Sequence, residues 1–303
     1  MYDIGIIGGG TAGMTAAIYG LRAGKSVIII EAMNYGGQIT ASPQIENYPG
    51  IASMSGNEFA SAMVDQVMNL GAETELAQVT GIREQDGMKV IETNDKEYPC
   101  RTVIIATGVT HRHLGVAKEN ALAGAGLSYC ATCDGAFFKD KDVAVIGGGS
   151  TALQDAAFLS NYCRKVYLVH RRDEFRGESG LVKPLVAKEN VEFVLSAAVK
   201  NIIGGEYVEG IILDNIKTGE EFRLDVEGLF VAVGQVPRNY IYESLVRLDG
   251  EGFILASEDC NTSCPGVFAA GDCRTKEVRQ LTTAAADGAV AALAACKYMD
   301  VHE

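Results

Sequence analysis

Basic residues, cysteines and long apolar runs are all scarce in this sequence of 303 residues, and each scarcity excludes a class of protein. Lysine and arginine number 26 against 39 aspartates and glutamates, a formal net charge of −13, which excludes nucleic acid and anionic membranes as main partners. Eight cysteines are far fewer than a disulfide-rich scaffold uses. No run approaches the roughly 20 apolar residues of a membrane span.

The N-terminal apolar run has no basic segment before it and breaks at Gly8-Gly9-Gly10, so we expect no secretory signal and a cytoplasmic protein. In that compartment, cysteines are typically catalytic, metal-binding or inert. Glycine is abundant, with 35 residues, which directs attention to glycine-rich turns. The length predicts about two domains.

The first glycine-rich turn carries GxGxxG at Gly8, Gly10 and Gly13, between a predicted buried strand and a predicted helix. The first glycine makes the tight turn, the second lets the backbone approach a pyrophosphate, and the third lets the helix pack on the strand. A second predicted strand ends at Glu31, whose carboxylate can accept hydrogen bonds from a ribose. This context favours a dinucleotide site over a purely structural turn.

The pattern recurs as GxGxxA further along the chain, at Gly147, Gly149, Ser150 and Thr151. His170 stands 23 residues after the first glycine, as Glu31 does in the first copy. Arginines follow it, at Arg171, Arg172 and Arg176. Guanidinium groups at this position suit a 2′-phosphate, so we predict NADP at the second site, against the alternative of a solvated basic turn.

A CxxC motif, Cys130 and Cys133, lies between the two turns and is followed directly by Asp134. Such a pair can close a small disulfide that accepts two electrons and then exchanges with another disulfide. Asp134 can shuttle the proton that exchange requires. Half a zinc site and a pair of inert buried cysteines are the alternatives. Because enzymes with two dinucleotide sites usually pass hydride from a nicotinamide to a second carrier, one dinucleotide is predicted to be a flavin.

The whole sequence resembles the low-molecular-weight, bacterial-type thioredoxin reductases, which are class II pyridine nucleotide-disulfide oxidoreductases. The matching segments keep one order and spacing: 8–13, 36–38, 46–50, 106–108, 130–135, 147–152, 170–176, 268–272 and 279–280. The resemblance implies an α/β protein with two Rossmann-like, three-layer ββα dinucleotide-binding domains. An NADPH domain at 113–240 that carries the CxxC would be inserted into an FAD domain formed by 1–112 and 241–303.

The resemblance also implies that electrons pass from NADPH to FAD, to the Cys130–Cys133 disulfide, and then to thioredoxin. Cys133 would lie against the flavin, Cys130 would attack the thioredoxin disulfide, and Asp134 would act as acid and base. Asp272 would hold the ribityl chain. Further cofactor-binding residues implied are Gly37, Gln38, Asn47, Thr107, Gly108, Gly271, Arg279 and Gln280. A homodimer without metal, whose two domains rotate relative to each other during turnover, is implied as well.

The sequence departs from the family pattern at three places. Ala125 stands between two glycines where a basic residue is common, Gln154 replaces an acid after GxGxxA, and Arg238 separates a proline from an asparagine. The C-terminal part carries Cys260, Cys264 and Cys273, whose spacing also allows a metal site. Because the family usually has apolar residues at the positions of Cys260 and Cys264, we interpret these cysteines as small buried hydrophobic residues.

Other functions were weighed against the disulfide reductase. A flavin thioredoxin reductase fed by ferredoxin typically lacks intact NADPH motifs, which are present here. A ferredoxin–NADP reductase of this fold has no CxxC, and a dithiol oxidase has little use for an NADP site. A non-enzymatic redox sensor that binds flavin or NADP would need the glycines but not an acid beside the dithiol.

Overall fold

A computed structural model describes residues 1–302, and the chain separates into two compact units. One unit contains Met1–Thr110 and the described residues from Val236 onward, and the other is His111–Gln235. The second unit is therefore an insertion, which the chain enters once and leaves once. These limits lie two to five residues from the boundaries expected from the sequence.

The helices and strands follow one another along the chain in three stretches. Before the insertion they are β1 (Tyr2–Ile7), α1 (Thr11–Arg22), β2 (Val27–Glu31), α2 (Gly56–Asn69), β3 (Glu73–Leu76), β4 (Val79–Gln85), β5 (Met88–Thr93) and β6 (Glu97–Ile105). Next come β7 (Thr110–His111), α3 (Glu119–Leu122), β8 (Leu127–Ser128), α4 (Ala131–Asp134), β9 (Asp142–Ile146), α5 (Ser150–Leu159), β10 (Lys165–His170), α6 (Ser179–Val186), β11 (Val191–Leu195), β12 (Ala197–Gly204), β13 (Val208–Asn215), β14 (Glu221–Leu224), β15 (Gly228–Val231) and β16 (Gln235–Val236). The last two are β17 (Val267–Ala269) and α7 (Leu281–Val301).

The first unit is built on a seven-stranded sheet in the order β3-β2-β1-β6-β5-β4, with β17 beside β6. Its central strands are parallel, and their buried stretches are rich in isoleucine and valine, as expected for strands buried on both faces. The strands β4 and β5 continue the sheet as an antiparallel pair. One face carries α1 and α7, whose alanines pack against β1, so the glycine turn after β1 opens at the carboxyl end of the sheet.

The second unit repeats the strand–turn–helix–strand arrangement in a parallel sheet of order β11-β10-β9-β15-β8. A separate antiparallel sheet, β12-β13-β14, packs its apolar residues into the same core. The second glycine turn follows β9, as the first follows β1. The predicted fold class, an α/β protein with two Rossmann-like units, is confirmed.

The two segments that join the units, β7 and β16, pair with each other. The Thr110 hydroxyl donates to the Val236 carbonyl oxygen at 3.2 Å, and the Arg112 amide donates to the Gly234 carbonyl oxygen at 3.0 Å. The insertion thus starts and ends at neighbouring points of one short ribbon.

Candidate dinucleotide and disulfide sites

In the first glycine turn, two glycines are in close contact with the backbone and one has open space beside it. A Cβ on Gly8 would lie 2.3 Å from the Ala106 carbonyl oxygen, and a Cβ on Gly13 would lie 1.9 Å from the Gly8 carbonyl oxygen. A Cβ on Gly10 would meet nothing closer than the Gly36 carbonyl oxygen at 3.9 Å. Gly8 and Gly13 are therefore required by the fold itself, whereas the chain leaves the space beside Gly10 free for a ligand.

Glu31 lies beside this turn at the end of β2. Its carboxylate accepts hydrogen bonds from the amides of Gly9, at 2.7 Å, and Met33, at 2.9 Å. The loop that contains Gly37 covers the turn, because a Cβ on Gly37 would lie 3.3 Å from the Gly10 Cα atom. The structure thus brings together the residues predicted to bind one dinucleotide at β1 and β2.

Asp272 lies in a turn of 3₁₀ helix after β17, preceded by Gly271 at a φ of +79°. The Asp272 Oδ1 atom is buried without a hydrogen-bond partner among residues 1–302, and burial raises the pKa of this carboxyl group. Arg279 donates to the Asp272 carbonyl oxygen at 3.4 Å and stacks over the Phe253 ring. A buried carboxylate with a free oxygen is suited to accept a hydrogen bond from a ligand hydroxyl.

The remaining predicted residues of the first unit pair across its loops. Asn47 donates to the Gln280 side chain at 3.2 Å. The Thr107 hydroxyl donates to the Asn239 side chain at 3.3 Å. The next residue, Gly108, has a φ of +65°. The Gln38 amide group donates to the Val109 carbonyl oxygen.

The second glycine turn also has one glycine in close contact with the backbone and one with open space beside it. A Cβ on Gly147 would lie 2.3 Å from the Ala232 carbonyl oxygen, whereas a Cβ on Gly149 would meet nothing within 4 Å. The turn leads into the first residues of α5, Ser150 and Thr151. As in the first unit, the middle glycine of the motif is the one with open space beside it.

His170 and the arginines that follow it differ in their surroundings. The His170 ring is buried, and a Cβ on Gly148 would lie 2.2 Å from it. Burial lowers the His170 pKa, which favours a neutral imidazole, and its Nε2 atom has no hydrogen-bond partner within the described chain. The three arginines are exposed instead: Arg171, Arg172 and Arg176. Their loop is anchored to the glycine turn, because the Arg176 amide donates to the Gly148 carbonyl oxygen at 2.8 Å.

The CxxC motif forms a disulfide between Cys130 and Cys133, whose Cα atoms are 5.3 Å apart. Cys130 caps the short helix α4, and Cys133 is exposed. Asp134 ends that helix. Its Oδ2 atom accepts a hydrogen bond from the Ser128 hydroxyl at 2.6 Å, and its Oδ1 atom is buried without a partner among residues 1–302. Burial raises the Asp134 pKa.

Unpaired buried polar atoms concentrate at these predicted sites. Within the described part of the chain, four buried side-chain nitrogen or oxygen atoms have no hydrogen-bond partner: Tyr98 Oη, Asp134 Oδ1, His170 Nε2 and Asp272 Oδ1. Leaving such an atom unsatisfied costs about 1–3 kcal/mol. Three of the four belong to residues that the sequence predicts to be functional, which indicates that a ligand or a substrate completes their hydrogen bonding.

The three cysteines of the C-terminal part, Cys260, Cys264 and Cys273, are buried free thiols. Burial raises the pKa of Cys260 to about 12 and that of Cys273 to about 11, and it also raises the pKa of Cys264. Among residues 1–302, no cluster of three or more histidine, cysteine, aspartate or glutamate side chains is arranged to hold a metal ion. All three pack within hydrophobic clusters of the first unit, and Cys264 also contacts the side chains of Lys89, at 3.7 Å, and Glu84, at 3.9 Å.

Three further residues of these sites were not predicted from the sequence. Ser128 binds Asp134 and the Cys130 amide. Asn239 is fully buried and donates to the carbonyl oxygens of Gly252 and Cys273. Asp287 accepts from the Gly271 amide at 2.9 Å. Only Asp287 gave a signal, as an isolated acid within an alanine-rich segment.

Comparison with known proteins finds a matching family and relatives that are similar over nearly the whole chain. The family described as pyridine nucleotide-disulphide oxidoreductase matches residues 2–288. A thioredoxin reductase of Listeria monocytogenes is 40% identical over 301 residues, which cover 99% of this chain and 94% of that protein. The crystal structure of a thioredoxin reductase from Streptococcus pyogenes is 41% identical, with a TM-score of 0.95 and 99% of each chain covered. A thioredoxin reductase from Giardia duodenalis is 33% identical, with a TM-score of 0.94 and 99% of each chain covered.

Proposed function

This chain belongs to the pyridine nucleotide-disulphide oxidoreductase family, and we propose how its residues divide the reaction of a thioredoxin reductase among them. The chain is an enzyme, an NADPH-dependent flavoprotein disulfide reductase that uses FAD and NADPH. The observation that carries the assignment of roles is that three unpaired buried polar atoms coincide with the two predicted dinucleotide sites and the disulfide.

The first unit holds FAD. The open space beside Gly10 admits the pyrophosphate, and Glu31 accepts hydrogen bonds from the adenosine ribose. The free Oδ1 atom of Asp272 accepts a hydrogen bond from the ribityl chain. Further contacts come from residues that the structure places in the same unit: Gly37, Gln38, Asn47, Thr107, Gly108, Gly271, Arg279 and Gln280. When bound, the flavin supplies a two-electron relay between nicotinamide and disulfide.

The second unit holds NADPH. The space beside Gly149 and the N-terminus of α5, with Ser150 and Thr151, accommodate its pyrophosphate. The exposed guanidinium groups of Arg171, Arg172 and Arg176 bind the 2′-phosphate. His170 contributes as a neutral ring beneath the glycine turn, with its Nε2 atom available for a hydrogen bond.

Exchange then proceeds between the reduced CxxC and a protein disulfide. The Cys130 thiolate attacks one sulfur of that disulfide, and the other sulfur leaves with its electron pair and takes a proton from Asp134. Asp134 then takes the proton of the Cys133 thiol, and the Cys133 thiolate attacks the Cys130 sulfur of the mixed disulfide. This restores the Cys130–Cys133 disulfide, and the second sulfur of the partner leaves with its electron pair and takes the one proton consumed in the net reaction, so that the partner is released as a dithiol. The net reaction converts NADPH, one proton and a disulfide into NADP⁺ and a dithiol.

The partner is thioredoxin or a thioredoxin-like protein, and the enzyme acts as a cytoplasmic homodimer. No helix within residues 1–302 is long and apolar enough to cross a membrane.

Anaerobic stopped-flow measurements of flavin absorbance test this proposal. We expect NADPH to bleach the flavin at much lower concentration than NADH. Cys130→Ser and Cys133→Ser should retain this bleaching but lose reduction of oxidised thioredoxin. Thioredoxin reduction by either variant at the wild-type rate would refute the dithiol mechanism. Equal bleaching by NADPH and NADH would refute the assignment of the three arginines.

A further inference from the structure

Ser128 connects two parts of the exchange site through one hydroxyl group. Its oxygen accepts a hydrogen bond from the Cys130 amide at 3.0 Å and donates to Asp134 Oδ2 at 2.6 Å. The Cys130 carbonyl oxygen is a second acceptor, at 3.3 Å. Ser128 is itself buried and is held in β8, where it pairs with Phe230 of the parallel sheet. Because the backbone of Ser128 is held in the sheet and its side chain is short and buried, the position of the hydroxyl is fixed.

The two oxygens of Asp134 are thereby made unequal. Oδ2 is occupied by the serine hydroxyl, whereas Oδ1 is buried without a partner among residues 1–302. A hydroxyl proton can point to only one acceptor at a time. While Asp134 is ionised the proton points to Oδ2, and after protonation it can turn to the Cys130 carbonyl oxygen.

We propose that Ser128 is a positioning residue for disulfide exchange, which holds Asp134 Oδ2 and the Cys130 amide in one unit so that Oδ1 is the atom that gives and takes the proton. The inference rests on the proposed role of Asp134 in exchange. It goes beyond that role by naming the reacting oxygen and the residue that selects it.

The acidity of the site is set by few groups. Burial raises the Asp134 pKa and the Ser128 hydrogen bond opposes that rise, with no nearby charge contributing. The turn after α4 packs on α5 through Gly135, Phe158 and Leu159. The titratable side chain that α5 carries is Asp155, whose pKa burial raises to about 7. Further titratable groups at the site are the thiols of the reduced motif and Tyr129, whose hydroxyl donates to Glu119 at 3.0 Å.

The test measures the rate of exchange between NADPH-reduced holoenzyme and oxidised thioredoxin from pH 5 to pH 9. Ser128→Ala and Ser128→Gly both remove the hydroxyl, and each should raise the midpoint of the Asp134-dependent step by about one pH unit. Ser128→Thr keeps the hydroxyl and should retain the wild-type midpoint. Asp155→Asn, measured in parallel, identifies any part of the profile that belongs to Asp155.

A second probe separates positioning from structural damage. The aromatic disulfide 5,5′-dithiobis(2-nitrobenzoic acid) releases a thiolate of low pKa that needs no proton, so the shift should be absent with it. Slower exchange at every pH with an unmoved midpoint, in both variants without the hydroxyl, would overturn the proposal. A pH profile of Asp134→Asn identical to wild type would instead refute the role of Asp134 in the proposed function.

Discussion

Individual glycines in the two turns serve either packing or ligand binding, and alanine substitutions can distinguish these two roles. Gly13→Ala places a methyl group against the Gly8 carbonyl oxygen and should lower the free energy of unfolding by about 1–3 kcal/mol. Gly10→Ala meets only open space, so thermal unfolding of the apoprotein should change little while FAD affinity falls. Thermal denaturation and flavin fluorescence titration of both variants check this prediction. Unchanged FAD affinity in Gly10→Ala would contradict it.

Asp155 should make stability depend on pH. Its pKa in the folded protein is about 7, against an ordinary value of 3.8, so the folded state binds this proton more tightly than the unfolded state. Its stabilising contribution is present below the ordinary value and is lost as the pH rises towards 7. Asp155→Asn should therefore raise the melting temperature relative to wild type at pH 8 but much less at pH 4. An equal change at both pH values would show that the carboxylate is not responsible.

The residues that could be predicted from the sequence are those that form short linear patterns. Gly8, Gly147 and the CxxC lie within such patterns, because the residues of each motif are consecutive and lie together in a single turn. Asn239 contacts the Cys273 carbonyl oxygen, which is distant in sequence, and no local pattern marks it. Asp287 stands out as an isolated acid in an alanine-rich segment, but that pattern does not reveal its contact with Gly271. The burial of His170, next to arginines that are exposed, also depends on packing that spacing does not encode.

Helix α7 stabilises the turn at Gly271 through Asp287, which is buried in its first half. This carboxylate also accepts hydrogen bonds from Arg274 and Lys276, whose effect outweighs burial and holds its pKa below the usual range. Asp287→Asn leaves both cations without their counter-charge, so we expect a loss of roughly 3 kcal/mol in the free energy of unfolding, with weaker FAD binding. Asp300→Asn, at an exposed position of the same helix, is the control.

The same carboxylate gives a prediction for acid conditions. A lowered pKa means that its stabilising contribution is complete above the ordinary value of 3.8 and is lost as the pH falls through the lower value. Flavin release should therefore begin below pH 4 in the wild type. Fluorescence of released FAD would follow it, and Asp287→Asn should show weaker pH dependence in this range.

The arginine loop after β10 should determine the preference for NADPH. Arg172→Ala should raise the KM for NADPH by about 10- to 100-fold and leave the KM for NADH nearly unchanged, since a charge-assisted hydrogen bond contributes about 1.5–3 kcal/mol. Arg164→Ala, which alters another exposed arginine of this unit, is the matched control. Equal effects on both nucleotides would contradict a contact with the 2′-phosphate.

Element boundaries were predicted best where burial is most complete. The mostly apolar run at 142–146 predicts a strand and coincides with β9, whose interior is inaccessible to water on both faces. The alanine-rich segment 284–295 indicates a helix by its composition, but α7 extends over Leu281–Val301, because a capping box between Gln280 and Thr283 starts it earlier. The hairpins β12 to β14 are half exposed, and their weak alternation did not identify them.

Considered as a whole, the chain should respond to its two nucleotides in separate regions. A ligand slows hydrogen exchange mainly where it stabilises the structure that it contacts. Adding FAD to the apoprotein should protect amides in residues 1–110 and 236–302, whereas NADP⁺ should protect amides in 111–235. Hydrogen–deuterium exchange with mass spectrometry checks this. Protection of the second unit by FAD at the level that NADP⁺ produces would contradict the assignment of cofactors to units.

The paired segments β7 and β16 have a consequence for how this chain can evolve. Because the second unit begins and ends at neighbouring points of one ribbon, it occupies the place of a single surface loop in the first. Closing a longer loop costs little additional entropy, about 0.6 kcal/mol for each doubling of its length. Exchange of the whole insertion by recombination would replace the second glycine turn and the disulfide together, and every strand of the seven-stranded sheet would keep its register.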